Sequence, residues 1–142
     1  MLRKRTAQSR QGRRRILIVD DHPLIRRGLV ALINAEPDLI VCAEAATLQD
    51  GLIAIAVARP DLVITDLSLI HGDDGLELVR DIRSRHLGLR ILVLSTHDSP
   101  LYVRSAFAAG ADGYLAKHQM TELLLPAVRS VLRGEAYGTP KN

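Results

Sequence analysis

The chain has 142 residues, the length of one ordinary domain. Hydrophobic residues make up 47% of it and charged residues 25%, a balance that excludes a fully disordered chain or a collagen-like fibre. Its longest apolar run, residues 52–58, is far shorter than the roughly 18 residues of a membrane-spanning helix. No apolar stretch near the N-terminus fits a secretory signal. We therefore expect a folded cytoplasmic protein that does not contact membranes.

Positive charge is concentrated at the N-terminus. Residues 1–15 hold seven of the 19 Lys and Arg residues and none of the 16 Asp and Glu residues, so residues 16–142 carry a net charge of −4. We expect residues 1–14 to form a basic, disordered tail. Binding of this tail to nucleic acid and a role as a transit peptide are alternatives.

Five short apolar runs predict β-strands. They follow one another at spacings of 23, 23, 29 and 23 residues, and each spacing fits one strand followed by one helix. The runs are rich in Ile, Val and Leu without polar alternation, as in parallel strands that are covered on both faces. They begin at Ile16, Leu39, Leu62, Ile91 and Tyr114.

Between these runs, apolar residues recur with the period of an amphipathic helix. The candidate helix ends are marked by Pro23, Thr47 and Thr121 at N-termini and by Gly110 and Gly134 at C-termini. Pro126 lies inside the fifth predicted helix and removes a backbone donor, so we expect this helix to start late or to bend.

The alternation of five strands with five helices predicts an open, doubly wound α/β fold with a parallel sheet. A closed (β/α)₈ barrel would need eight such units. In open sheets of this kind, ligands bind outside the carboxyl ends of the strands. The residues that follow the predicted strands are therefore the first candidates for a functional site.

Polar residues follow four of the five predicted strands: Asp20 and Asp21, Asp66, Ser95, and Lys117. Three carboxylates at one sheet edge repel each other unless a cation neutralises them, and oxygen ligands favour Mg²⁺. A hydroxyl and an ammonium beside such a metal suit a phosphoryl group. The pattern predicts phosphoryl chemistry in which an aspartate carboxylate is the nucleophile. Taken singly, each residue has an ordinary alternative, such as a helix cap for Asp21 or a surface position for Lys117.

The five histidines show no HxxxH or HxH pairing, so we do not expect a metal site built on histidine. We interpret most of them as surface or helix-boundary residues. A flavin or nucleotide carrier shares the predicted sheet, but no glycine-rich phosphate loop follows the first strand.

Several segments within residues 15–133 carry a specific resemblance: ILIVDDHPLIRRGL, PDLVITDLSL, DGLELVRDIR, ILVLSTHDS and AGADGYLAK. Together they resemble the receiver domain of two-component response regulators, and DDHPLIRRGL with VRSVLRGEAY is most similar to the NarL/FixJ (LuxR-type) subfamily. The resemblance implies a flavodoxin-like (CheY-like) fold whose five parallel strands have the order 2-1-3-4-5. It also implies a receiver domain at residues 15–134 and a linker or tail at residues 135–142. A helix-turn-helix DNA-binding domain, typical of the subfamily, is absent from these 142 residues.

The resemblance assigns roles to the residues at the strand ends. Asp66 is implied as the phosphoacceptor, which takes a phosphoryl group from a phosphohistidine on a sensor histidine kinase. Asp21 is implied as a direct Mg²⁺ ligand, Asp20 as a ligand through water, and Ser68 as a ligand through its backbone carbonyl.

The same resemblance implies a switch. Lys117 pairs with the phosphoryl oxygens, Ser95 is the switch hydroxyl, and Tyr114 stands at the position of an aromatic switch residue. A phosphorylated receiver of this kind forms homodimers and controls transcription. It is a signalling protein rather than an enzyme, although it catalyses its own phosphotransfer and dephosphorylation.

The sequence departs from the family pattern after Asp66. Ile70 stands where the family usually has Pro, and Gly75 is nine rather than eight residues beyond Asp66, which indicates one inserted residue. A stand-alone or degenerate receiver that serves only as a dimerisation or docking module is therefore an alternative. A haloacid-dehalogenase-type phosphohydrolase is another, but that family expects an aspartate at position 68, where this chain has Ser68.

Overall fold

The computed structural model describes residues 12–67, 75–97 and 99–140. The strands are β1 (Arg14–Val19), β2 (Leu39–Ala45), β3 (Leu62–Asp66), β4 (Arg90–Ser95) and β5 (Gly113–Ala116). The helices are α1 (Pro23–Asn34), α2 (Leu48–Ala58), α3 (Gly75–Arg85), α4 (Pro100–Ala109) and α5 (Met120–Leu132). A short 3₁₀ turn, Lys117–Gln119, connects β5 to α5.

The strands form one parallel sheet in the order β2-β1-β3-β4-β5, which confirms the predicted fold. The register sets the strand ends side by side. Val19 at the end of β1 pairs with Thr65 of β3, and Asp66 pairs with Leu94 of β4. The residues that follow β1 therefore emerge beside Asp66, and Ser95 follows one position beyond the partner of Asp66.

Both faces of the sheet are covered, which explains why the strand sequences lack polar alternation. Leu17, Val63 and Val93 point to one apolar cluster, which also contains residues of α2, α3 and α4. Ile18 and Ile64 belong to the opposite cluster, which contains residues of α1 and α5. Burial of each such side chain stabilises the fold by roughly 1.5–3 kcal/mol, and the buried strands thereby form a rigid support for the loops at their ends.

The helix ends follow most of the sequence signals. Pro23 is the first residue of α1, and the Thr47 side chain accepts a hydrogen bond of 3.1 Å from the Asp50 backbone at the start of α2. Gly110 caps α4 at its C-terminus, and Gly134, with φ of +85°, follows α5.

For α5, the cap predicted at Thr121 was wrong, and of the late start or bend expected from Pro126 the late start is contradicted. The helix begins at Met120 after Gln119, so Thr121 is an internal residue and does not cap it. The late start is not observed either, because the helix begins six residues before Pro126 and continues past it to Leu132. The 3₁₀ turn after β5 supplies an entry to the helix that the sequence pattern did not indicate.

A segment after α5 returns to the sheet. Residues 135–140, here called the C-terminal strap, lie along the outer side of β5, where Tyr137 forms an isolated parallel bridge with Gly113. The Tyr114 backbone N–H donates to the Tyr137 carbonyl at 2.9 Å, and the Tyr137 N–H donates to the Asp112 carbonyl at 3.2 Å. The boundary between receiver and linker at residue 134 stays a prediction, and these contacts connect the two sides of it.

In the part of the chain that the structure describes, no helix is long and apolar enough to cross a lipid bilayer.

One ion-pair cluster ties α5 to the loop between α1 and β2. The Arg129 guanidinium lies 2.7 Å from a Glu36 oxygen and 2.5 Å from an Asp38 oxygen. The hydrogen bond from Arg129 lowers the pKa of Asp38 below its ordinary value. The Asp38 side chain is 53% exposed, so solvent screening limits the stabilisation from this pair.

We predict that Arg129→Gln lowers the free energy of unfolding by about 0.2–1 kcal/mol at pH 7. Because the pKa of Asp38 is lowered in the folded protein, the Arg129–Asp38 pair contributes its full stabilisation above the ordinary aspartate pKa of about 3.9. It is lost as the pH falls through the lowered value, so the difference from wild type shrinks in acid. Urea unfolding at several pH values measures it. Arg104→Gln, on an exposed position of α4, removes the same charge as a control, and an equal effect at both positions would contradict the prediction.

Candidate functional site

Three carboxylates lie together at the carboxyl edge of the sheet. Asp20 and Asp21 follow β1, and Asp66 is the last residue of β3. Their exposed fractions are 1%, 8% and 3%, so all three are buried although they are charged groups. A ligand atom from each, with one from His22, falls in a group whose atoms all lie within 4.8 Å of one another. The sequence pattern predicted that these aspartates lie at one sheet edge, and the structure places them together there.

Lys117 reaches the same site from the 3₁₀ turn after β5. Its Nζ lies 2.9 Å from an Asp66 oxygen and 3.0 Å from an Asp20 oxygen. The lysine side chain is 7% exposed, so its ammonium has exchanged water for carboxylate partners. A buried ammonium held by two carboxylates is a component of the site rather than the surface lysine of the ordinary alternative.

His22 also belongs to this cluster, although the sequence did not predict a site role for it. Its Nδ1 lies 2.7 Å from Asp20, 3.2 Å from Asp21 and 3.5 Å from Asp66, in each case from a carboxylate oxygen. The same atom is 3.2 Å from Lys117 Nζ. His22 is the residue before the first turn of α1, a helix-boundary position of the kind expected for most of the histidines. The signal was its position directly after the aspartate pair, which places it at the same sheet edge.

The backbone around Asp20 is fixed by neighbours on two sides. Its N–H donates to the Ala45 carbonyl at 3.0 Å, and its own carbonyl accepts 2.7 Å from Arg26 Nη1. Arg26 in turn donates to Glu44 at 3.2 Å. Arg26 is a second supporting residue that was not predicted, because its contact is to a backbone carbonyl and leaves no pattern in the sequence. Asp21, for which helix capping was the alternative, is not the cap residue of α1; His22 holds that position.

Ser95 and Tyr114 are connected through the loop after β4. Ser95 is fully buried, and its Oγ accepts a hydrogen bond of 3.0 Å from the His97 N–H. The Tyr114 hydroxyl donates to the His97 carbonyl, and the Tyr114 side chain is buried beneath α4. The predicted switch residues are thus both bonded to one loop residue, His97.

The segment after Asp66 is only partly described. Ser68, predicted as a backbone ligand, lies outside the described residues, as does Ile70 within the inserted region. The two described residues that flank this segment are in contact, because the Gly75 N–H donates to the Leu67 carbonyl at 3.0 Å. A Cβ at position 75 would lie 2.2 Å from the Asp66 carbonyl oxygen and 2.5 Å from Leu67 Cα. Glycine is required here because the start of α3 contacts the backbone of Asp66 directly.

The donor set fits a hard divalent cation. With their ordinary charges, three carboxylates outnumber the single buried ammonium, and the excess negative charge favours an added cation. Carboxylate oxygens are the ligands that Mg²⁺ takes in proteins, commonly together with water and phosphate oxygens. Asp20, Asp21 and Asp66 are the residues that would hold the ion, and His22 adds a nitrogen donor beside them.

Comparison with known proteins identifies the class. A model of the response regulator receiver domain matches residues 16–129. The chain belongs to this family, and its relatives place it among receivers of the NarL/LuxR type, which confirms the resemblance in the sequence. The homologues of this chain are transcriptional response regulators, which are signalling proteins rather than classical enzymes.

Individual relatives sharpen the class. The chain is 38% identical to the nitrate/nitrite response regulator protein NarL of Escherichia coli strain K12, over 84% of this chain and 55% of that protein. It is 38% identical to the DNA-binding transcriptional activator DevR/DosR of Mycobacterium tuberculosis, over 86% of this chain and 56% of the relative. The chain thus spans just over half the length of these curated relatives.

Solved structures agree with these relatives. A LuxR-family two-component response regulator from Aurantimonas sp. SI85-9A1 is 36% identical with a TM-score of 0.84, over 90% of this chain and 91% of that one. The receiver domain of the response regulator NarL from Mycobacterium tuberculosis is 32% identical with a TM-score of 0.81, over 87% and 98% of the two chains. These relatives are response regulators.

We predict that Gly75→Ala destabilises the protein by about 1–3 kcal/mol, because the added methyl group meets backbone atoms that cannot rotate away. The Asp66 carbonyl must then move, so the site is disturbed together with the fold. Chemical denaturation measures the first effect, and the NMR signals of residues 65–67 report the second. Gly88→Ala is the matched control, since nothing lies within 4 Å of a Cβ at that glycine. If Gly75→Ala and Gly88→Ala had the same free energy of unfolding and the same NMR signals at residues 65–67, the close contact at Gly75 would not require glycine.

Proposed function

We propose that this chain is the phospho-accepting receiver domain of a two-component response regulator, that Asp66 is the phosphoacceptor, and that Mg²⁺ is the cofactor. The observation that supports this most directly is the 2.9 Å contact between Lys117 Nζ and Asp66 inside a buried group of three aspartates. Burial of charged groups lowers the stability of the fold unless each has a partner. A buried cluster of this kind is therefore better explained by a chemical role than by a structural one.

The proposed reaction is a transfer between two side chains. An Asp66 carboxylate oxygen attacks the phosphorus of a phosphohistidine on a sensor histidine kinase. The oxygen–phosphorus bond forms as the phosphorus–nitrogen bond breaks, and the electron pair of the broken bond leaves with the imidazole. Lys117 then binds a phosphoryl oxygen in place of part of its contact with Asp66, and Ser95 offers its hydroxyl from the end of β4. When bound, Mg²⁺ stabilises the negative charge on the phosphoryl oxygens.

The roles of the remaining residues follow the same proposal. Asp21 is a direct ligand of the metal and Asp20 a ligand through water, while the Ser68 carbonyl is a ligand that lies outside the described residues. Tyr114 is the aromatic switch that responds to Ser95. We propose homodimerisation of the phosphorylated form, a cytoplasmic location, and transcriptional output through a DNA-binding region like that of the relative named a DNA-binding transcriptional activator.

We predict that the purified protein gains about 80 Da, the mass of one phosphoryl group, when it is incubated with acetyl phosphate and Mg²⁺. Asp66→Asn removes the nucleophile and should abolish the gain, and so should chelation of the metal with EDTA. Intact-mass spectrometry measures all three samples.

Asp50→Asn is the matched control for this experiment, because it makes the same chemical change at an exposed position of α2 and should leave the adduct unchanged. An adduct that persists in Asp66→Asn would assign the nucleophile to another residue. Absence of any adduct in wild type would instead favour the degenerate receiver, a module that docks or dimerises without phosphorylation.

We further predict that Asp21→Asn weakens Mg²⁺ binding by more than about tenfold, because loss of even an outer-shell partner typically costs 10–100-fold in metal affinity. Isothermal titration calorimetry with MgCl₂ measures the change. Asp50→Asn again serves as the charge-matched control. Unchanged affinity in Asp21→Asn would remove this residue from the set of metal ligands.

A further inference from the structure

The C-terminal strap is held against β5 by backbone contacts that depend on glycine. Gly138 has φ of +69°, a conformation that other residues adopt only with strain. A Cβ at position 138 would lie 2.1 Å from the Tyr114 carbonyl oxygen. Tyr137 packs against the apolar cluster beneath α5, so the strap is anchored by a side chain as well as by hydrogen bonds. The strap therefore has a defined register on β5, and Gly138 is the point at which that register can be broken.

One of the residues bonded to the strap is Tyr114, the predicted switch residue. Tyr114 donates its backbone N–H to Tyr137 of the strap and its hydroxyl to the His97 carbonyl. His97 in turn donates its N–H to Ser95 Oγ. Three hydrogen bonds, connected to one another through the backbone of His97 and the side chain of Tyr114, thus link the Ser95 hydroxyl to the strap.

The strap also closes one side of a cavity. A volume of about 360 Å³ lies between the strap and the start of α4, lined by Pro100, Val103, Tyr114, Gly138 and Pro140 among others. Because Tyr114 lines this cavity, a change of its side-chain position has space to occur beneath the strap. The tight packing found elsewhere in the core would oppose such a movement.

We propose that residues 135–140 form a regulatory strap whose pairing with β5 is coupled to the state of Asp66 through Ser95, His97 and Tyr114. This proposal rests on the proposed phosphorylation of Asp66 and adds the element that responds to it. In the unphosphorylated state all three hydrogen bonds are present and the strap is docked. When the Ser95 hydroxyl turns to a phosphoryl oxygen, His97 loses its acceptor, the Tyr114 hydroxyl contact shifts, and the pairing of Tyr114 with Tyr137 weakens.

The coupling has a reciprocal consequence that can be measured. If occupation of the site weakens strap docking, then release of the strap must strengthen occupation of the site by the same factor. Spatial continuity of hydrogen bonds alone does not establish coupling, so the test must measure both directions.

The first measurement is amide hydrogen exchange of the full chain by NMR, with Mg²⁺ alone and with Mg²⁺ plus beryllofluoride as a phosphoryl mimic. We expect exchange of the Tyr114 and Tyr137 amides to become about fivefold faster or more with beryllofluoride, the lower end of typical allosteric coupling. The Leu92 amide, inside β4, is the internal reference and should not respond. Unchanged exchange at Tyr114 and Tyr137 in the beryllofluoride-saturated protein would overturn the proposal.

The second measurement uses strap variants in the full chain. Gly138→Ala places a methyl group against the Tyr114 carbonyl and should release the strap, and it should bind beryllofluoride about fivefold more tightly, or more, by the reciprocity argument. Tyr137→Pro removes the N–H that donates to Asp112 and should act in the same direction. Gly88→Ala is the control, with affinity equal to that of wild type. Two independent variants keep the test decisive if one of them fails to fold.

A third variant tests the connection itself. Tyr114→Phe removes the hydroxyl that bonds to His97 while it keeps the aromatic ring, and in this variant the strap should no longer respond to beryllofluoride.

Intact mass after acetyl phosphate treatment separates the two proposals. If wild type forms no adduct and binds no beryllofluoride, phosphorylation of Asp66 is the claim that fails. If wild type forms the adduct but strap variants bind beryllofluoride as wild type does, the coupling fails and the phosphoacceptor stands.

Discussion

Burial of three carboxylates around one ammonium is the constraint on which the rest of the structure depends. Like charges at this separation repel strongly in a protein interior, and only fixed partners hold them there. Lys117 supplies the positive charge, and Arg26 and Ala45 fix the backbone of Asp20. The buried apolar strands keep the three aspartates from moving apart. The arrangement therefore places three carboxylates and one ammonium at one sheet edge. A divalent cation bound at this edge would relieve the repulsion, whereas a phosphoryl group adds negative charge and would need that cation and Lys117 beside it.

The parallel sheet explains how so few residues create this constraint. Each strand ends at the same edge, so residues far apart in sequence become neighbours without any long loop. The contact of Lys117 with Asp66 spans 51 positions, yet both residues stand within one residue of a strand end. The two apolar layers make the strands rigid, and the polar residues of the site lie at the strand ends and in the loops beyond them. His97 illustrates the division, because it lies just outside β4 and is bonded to both Ser95 and Tyr114.

Much of this arrangement was predictable from sequence because it follows from periodicity and strand ends. The apolar runs predicted five strands, and the polar residues after them predicted the positions of Asp20, Asp21, Asp66 and Lys117. Contacts made by backbone atoms were not predictable: Arg26 binds a carbonyl, and the strap pairs through N–H groups that every residue possesses. The cap at Thr121 failed for a related reason. A 3₁₀ turn of three residues carries no apolar period, so α5 begins two residues earlier than a cap at Thr121 would place it.

The position of the strap has a further consequence for the behaviour of the chain in solution. β5 is the last strand of its sheet, and an uncovered edge strand offers free N–H and C=O groups to any extended peptide. Tyr137 occupies part of this edge, and the positive φ of Gly138 turns the following backbone away from a regular strand geometry. The strap thus covers part of the β5 edge and reduces the number of backbone groups available for pairing with another chain. A chain shortened to end at Gly134 would expose that edge, and its solubility would then depend on what protein surface or partner segment covers β5.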